Sequence, residues 1–168
     1  ILSSLVGSEM CIRDSTGPYP KNFVDSLKFE QLKQGLVGSV LNVSGVKKVK
    51  KMQKLVIDNS RMKIPLLFAL DVIHGFQTIN PIPLAESASW NLELIQKSAS
   101  IAAKEAASAG INWTFAPMVD ITRDPRWGRI MEGAGEDPYL GSKIAVARIK
   151  GFQGNNLEDP LTIAACAK

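Results

Sequence analysis

The sequence predicts an α/β fold: the N-terminal half of a (β/α)8 barrel, cut after about four strands. Three observations carry this. Strand-like apolar runs alternate with helix-like segments in the order strand, helix, strand, helix, strand, helix, strand, and repeated βα units build a parallel sheet with right-handed crossovers. A whole barrel takes eight strands and about 250 residues, so four strands in roughly 150 residues amount to half of one. An open doubly wound sheet would place a glycine-rich phosphate loop after an early strand. Neither GxGxxG nor GxxxxGK followed by Ser or Thr occurs in the chain, which favours the barrel.

The elements follow in order. Residues 35–43, "GLVGSVLNV", form an apolar, partly β-branched run opened by Gly35 and read as a buried strand. The lysine-rich stretch from 46 to about 59 reads as an amphipathic helix with Val46, Val49, Met52 and Val56 on one face. Residues 64–72, "IPLLFALDV", are nearly all apolar, as expected of a strand covered on both faces. A loop with Gly75, Pro81 and Pro83 leads to 91–110, whose Ala, Leu, Glu and Lys content favours helix, with Gly110 at the capping position. Residues 111–120, "INWTFAPMVD", give the third strand. After a charged loop, Asp137 and Pro138 suit the N-cap and first position of a helix that Gly154 closes. Residues 161–168, "LTIAACAK", read as the fourth strand.

Composition bounds the function. The 168 residues are 45% hydrophobic and 21% charged, an ordinary globular profile. Much of the excess positive charge lies in "VKKVKKMQK" at 46–54. Without interleaved aromatics this reads as a solvated helix face and not as a nucleic-acid surface. One histidine, His74, and two cysteines, Cys11 and Cys166, supply neither a disulfide framework nor a metal cluster. No apolar run approaches the roughly 20 residues that span a membrane. Residues 1–15, "ILSSLVGSEMCIRDS", make a poor signal peptide and resemble translated adaptor sequence, leaving 16–168 as the expected domain. The abrupt stop at "TIAACAK" makes both ends read as those of a fragment.

In either architecture the functional face lies at the carboxyl ends of the strands. There stand Asp71, His74, Asp120, the loop with Arg123, Asp124, Arg126, Trp127 and Arg129, and finally Lys168. Carboxylate, guanidinium and ammonium groups on one rim suit an uncharged ligand rich in hydroxyls, such as a carbohydrate, because charge-assisted hydrogen bonds are about twice as strong as neutral ones. From the residues alone, each retains a structural alternative. Asp71 can cap its own turn. The arginines can pair with Asp120, Asp124, Glu132 or Glu136, and Trp127 can anchor the loop.

A resemblance narrows these readings. "KIPLLFALDVIHG", "GINWTFAPMVDITRDPRWGR", "EGAGEDPYLG" and "AACAK" resemble the N-terminal domain of glycoside hydrolase family 3, most closely its bacterial, often periplasmic β-glucosidases. The likeness runs from about residue 30 to 168 and stays in register across three strand-to-loop junctions. One departure is Asn80 in "TINPIPL", where the family usually has an aromatic residue. The resemblance implies that Asp71, Arg129 and Lys168 bind hydroxyls of the non-reducing-end sugar, while Arg123, Asp124 and Trp127 are read as shaping the loop. The histidine partner of Lys168 would be the next residue after the chain ends.

It further implies a retaining, exo-acting β-glucosidase acting on β-linked oligosaccharides or glucosides, periplasmic or secreted; no metal or other cofactor is expected and, from the composition, no nucleic-acid or membrane partner. Such enzymes use one carboxylate as nucleophile and another as acid and base. In the family both lie beyond the part covered here, so no catalytic residue is assigned to Asp71, Asp120, Asp124, Glu132 or Glu136. This piece is therefore expected to be inactive without the missing C-terminal part of its own chain. Alternatives are a β-xylosidase of the same family and a non-catalytic sugar-binding barrel. The family's β-N-acetylhexosaminidases usually lack DPRWGR, and the absent phosphate loop disfavours a nucleotide-binding domain.

Overall fold

The computed structural model describes residues 23–168; the expected leader at 1–15, with Cys11, lies outside them. The elements are α1 (Phe23–Lys33), β1 (Ser39–Leu41), α2 (Val46–Asn59), β2 (Leu67–Leu70), α3 (Pro83–Ser87), α4 (Leu92–Ser108), β3 (Trp113–Thr114), a 3-10 turn (Ile130–Glu132) and α5 (Pro138–Gln153). The architecture is α/β with parallel pairing, the strand–helix repeat of a TIM-type barrel's first part. It divides into two compact units. One ends at Leu70 and includes Ala109–Ile111; the other comprises Asp71–Ser108 and Asn112–Lys168.

In the first unit, β1 and β2 run parallel with Ser39 opposite Leu67 and Leu41 opposite Ala69. Val40, Phe68 and Ala69 are fully buried, but Leu67 is 48% exposed, so β2 is not covered on both faces as its near-continuous apolar run implies. The connection between them is α2, whose Met52 and Val56 are buried. Its apolar stripe is shorter than the sequence spacing implies, because Val46 is exposed and Val49 half-buried at the helix start. Gly35 does not open β1; it ends α1. Its φ of 71° and the bonds from Gly35 N to Leu32 O and from Leu36 N to Gln31 O form a left-handed helix stop that glycine adopts without Cβ strain.

The second unit is built on α4 and α5. Asp137 accepts a hydrogen bond from Tyr139 N at 2.9 Å with Pro138 in the first turn, and Asn91 accepts from Leu94 N at 3.0 Å, so both helices start on side-chain caps. Ile95, Ile144 and Ala147 form a buried cluster with Ala134 and Leu140 against it. Gly151 allows the close approach of the two helices. A Cβ there would collide with the Gln96 carbonyl and lie 2.6 Å from Ala99 Cβ.

The third and fourth strands are shorter than the sequence suggests. β3 holds two residues, and 161–168 contributes one parallel bridge, Trp113 to Ala164. Backbone bonding nevertheless continues along the segment. Thr114 N donates to Ala164 O at 2.9 Å, Cys166 N to Ala116 O at 3.0 Å, and Lys168 N to Pro117 O at 3.0 Å. Pro117 has no N–H to donate, so a regular ladder cannot pass it.

Candidate functional site

Three segments of the second unit converge. The first is Asp71–Gly75, which leaves β2 and is held at the backbone. Val72 N donates to the buried Thr114 hydroxyl at 3.0 Å, and Asn80 N donates to His74 O at 2.9 Å. Gly75 turns this segment with φ 103°, where a Cβ would collide with Thr78 O, so only glycine fits. Glu105 of α4 ties down the next residues, accepting from Gln77 N at 2.9 Å and from Thr78 N at 2.8 Å.

The second segment is the charged loop. Arg129 precedes the 3-10 turn, which places Glu132 three residues on, beside its guanidinium. Arg129 Nε and Nη2 donate to the two Glu132 oxygens at 2.7 Å each, a bidentate fork. The third segment ends in Lys168, whose backbone is fixed by the bond to Pro117 O and by Val119 N donating to Lys168 O at 2.9 Å. Its ammonium donates to Asp71 Oδ1 at 2.8 Å and lies 3.6 Å from Glu132 Oε2.

Residues 71, 129, 132 and 168 thus form one alternating chain of charges: Asp71, Lys168, Glu132, Arg129. Glu132 is the least exposed, with 18% of its side chain accessible, while Asp71 and Arg129 are almost half-exposed. The hydrogen bonds from Arg129, reinforced by Lys168, hold the Glu132 carboxyl below the usual carboxylate range. The same bond raises Arg129, aided by Asp120 and Asp71. A guanidinium has five donors and an ammonium three, so the fork to Glu132 and the bond to Asp71 leave donors able to meet hydroxyl groups. The ensemble is a pre-oriented rim of linked donors and acceptors.

The remaining loop residues are placed differently. Asp124 accepts from Arg126 N at 2.9 Å and from its guanidinium at 2.6 Å, closing a local turn. Arg123 is exposed and Trp127 half-buried, with Trp127 N donating to Asp124 O at 3.1 Å. Glu132 was visible in the sequence as an arginine partner but not as the bridge to Lys168, which only the fold creates. Also unforeseen is the buried pair of Arg148 and Glu86, 2.6 Å apart. Its signal was position: Ile144, Ala147, Arg148, Gly151 and Phe152 share the buried face of α5, and an arginine there must be paired.

Comparison with known proteins gives the family. Residues 21–168 match the description "Glycosyl hydrolase family 3 N terminal domain". A periplasmic beta-glucosidase of Salmonella typhimurium is 42% identical over 149 residues, 89% of this chain and 19% of the relative. A beta-xylosidase of Formosa agariphila is 37% identical over 122 residues, 66% of this chain and 17% of the relative. The crystal structure of a beta-glucosidase from Listeria innocua in complex with glucose superimposes with a TM-score of 0.79 at 39% identity, covering 90% of this chain and 22% of that one. The chain therefore spans about a fifth of the length of the curated relatives it matches.

Proposed function

The chain belongs to glycosyl hydrolase family 3, as its N-terminal domain, and on that premise we propose that it forms one wall of the sugar-binding subsite of a retaining, exo-acting β-glucosidase. The observation that carries this is the four-residue charge chain. Asp71 follows β2, Lys168 ends the last strand-like segment and Arg129 precedes the 3-10 turn of the loop after β3, and all three keep hydrogen-bonding capacity toward solvent. In this reading Asp71, Arg129 and Lys168 contact hydroxyls of the non-reducing-end glucose, and Glu132 holds the two cations apart at a fixed spacing. Arg123, Asp124 and Trp127 shape the loop.

A rim of this kind orients a sugar and does not cleave it. Retaining hydrolysis needs a nucleophilic carboxylate and a second carboxyl group about 5–5.5 Å away. Asp71 and Glu132 are instead each engaged in an ion pair, with Lys168 and Arg129. We assign the two catalytic carboxylates to the remainder of a longer polypeptide, residues 1–15 to a non-native leader, and the parent's location to the periplasm or outside the cell, in line with the Salmonella relative's name. A β-xylosidase activity is the second reading, favoured by the Formosa relative.

The full-length polypeptide carrying this sequence is expected to hydrolyse 4-nitrophenyl β-D-glucoside with retention of the β-anomer, seen by proton NMR. Preference for the xyloside would establish the second reading. Glucose binding without turnover of either would leave only a sugar-binding barrel. Turnover by the 168 residues alone would place a nucleophile within them and overturn the assignment.

A further inference from the structure

Beneath the rim lies a second set of charges that the proposed sugar contacts do not use. Arg148 is 5% and Glu86 8% accessible at the side chain. The guanidinium donates to Glu86 Oε2 at 2.6 Å and, through its other branch, to the carbonyl of Ile73. Ser98 of α4 donates to the second Glu86 oxygen at 2.5 Å, and the Phe152 ring centroid is 5.8 Å from the guanidinium carbon. Burial lowers the Arg148 pKa and Glu86 opposes the shift. Such a pair offsets its own desolvation poorly and adds little net stability over an apolar pair of similar volume. What an apolar pair cannot supply is the donor to Ile73.

Ile73 is two residues beyond Asp71. Val72 N, Ile73 O and His74 O are thus held in succession by Thr114, Arg148 and Asn80, which fixes the exit of the backbone from Asp71. The neighbour of Glu86, Ser87, donates to Ala134 O at 2.6 Å, two residues beyond Glu132. A cavity of about 10 Å³ is lined by Ile73, Glu132 and Arg148 together. Adjacent residues of the short helix α3 thus lead to the segments of two members of the charge chain, Glu86 by way of Arg148 to that of Asp71 and Ser87 to that of Glu132.

We infer that Arg148, set by Glu86, is a positioning residue for the Asp71 carboxylate, so that sugar affinity depends on a buried pair that never meets the sugar. The inference rests on the proposed role of Asp71, and one experiment separates the two. D-Glucose binding to the full-length polypeptide is measured by calorimetry for the parent, Asp71→Ala, the double variant Arg148→Met with Glu86→Leu, and the combination of all three. The double variant removes both charges together and leaves none unpaired.

The expected result is a loss of about tenfold from the double variant in the parent background and less than about twofold on top of Asp71→Ala, the non-additivity of coupled residues. A purely structural role would give the same loss in both backgrounds and overturn the inference, as would no loss in either. If Asp71→Ala itself leaves glucose affinity unchanged, the sugar-binding role of Asp71 falls, and this inference with it. Should the double variant fail to fold, Arg148→Lys, which keeps the charge but not the two-branched fork, is subjected to the same comparison.

Discussion

Two arginine–carboxylate pairs in this molecule have the same length and opposite surroundings. Arg126 meets Asp124 at 2.6 Å with 88% of its side chain in water; Arg148 meets Glu86 at 2.6 Å with 5% accessible. Distance therefore says nothing about consequence. The exposed pair exchanges one well-solvated arrangement for another, and such pairs contribute little. The buried pair cannot return to water without unfolding the segment, so removing one partner strands the other. The charge chain of Asp71, Lys168, Glu132 and Arg129 lies between these extremes, wet enough for a ligand to enter and enclosed enough for its geometry to be set.

The sharpest way to break the comparison is Arg148→Ala. It leaves Glu86 and the Ile73 carbonyl without their donor, and a loss of about 3–5 kcal/mol in unfolding free energy is expected by urea denaturation. The Arg148→Met, Glu86→Leu double variant is expected to recover most of that loss. Equal destabilisation by the single and double variants would mean that shape, and not charge, makes Arg148 matter.

Gly151 tests the same helix face without touching a charge. Gly151→Ala drives a methyl group into the Gln96 carbonyl and Ala99, an overpacking that costs about 1–3 kcal/mol. It is read from the same denaturation curves. A neutral result would show that α4 and α5 can separate without loss.

Acid probes the intermediate site. The folded-state pKa of Glu132 is depressed, chiefly by the Arg129 hydrogen bonds and then by Lys168. Its contribution to stability is therefore fully present above the ordinary value of 4.5 and is lost as pH falls through the lower folded value. The Tm difference between the parent and Glu132→Gln is expected to be constant above that pH and to shrink below it. A difference that grows on acidification would contradict the assignment of the shift.

Much of this arrangement could be read from residue order. Alternating apolar runs gave the βα repeat, Asp137–Pro138 gave the start of α5, and strand-end positions gave the candidate rim, within which the family resemblance singled out Asp71, Arg129 and Lys168. What escaped has a common physical origin. The third and fourth strands contract because Pro117 cannot donate, a ladder-level effect that hydrophobic pattern does not encode. Helix α3 is five residues long, too short for a periodic signal. Glu132 joins Lys168 only because segments 36 residues apart meet in space. Arg148 reads as a surface arginine until its neighbours on the buried face are seen.

The smallest expected effect is the most discriminating test of the opening comparison. Arg126 and Arg129 share one loop, both are forked to a carboxylate, and in both the guanidinium pKa is raised by that bond. They differ in what lies beyond the carboxylate: Asp124 bonds back to Arg126 N and closes a local turn, whereas Glu132 continues to Lys168 and Asp71. Arg126→Ala is therefore expected to leave both Tm and D-glucose affinity unchanged, and Arg129→Ala to weaken glucose binding with little change in Tm. Equal losses of affinity from the two substitutions would mean that the loop acts as a diffuse positive patch. A loss confined to Arg129 would mean that continuity of the charge chain, and not the number of arginines, defines this wall of the site.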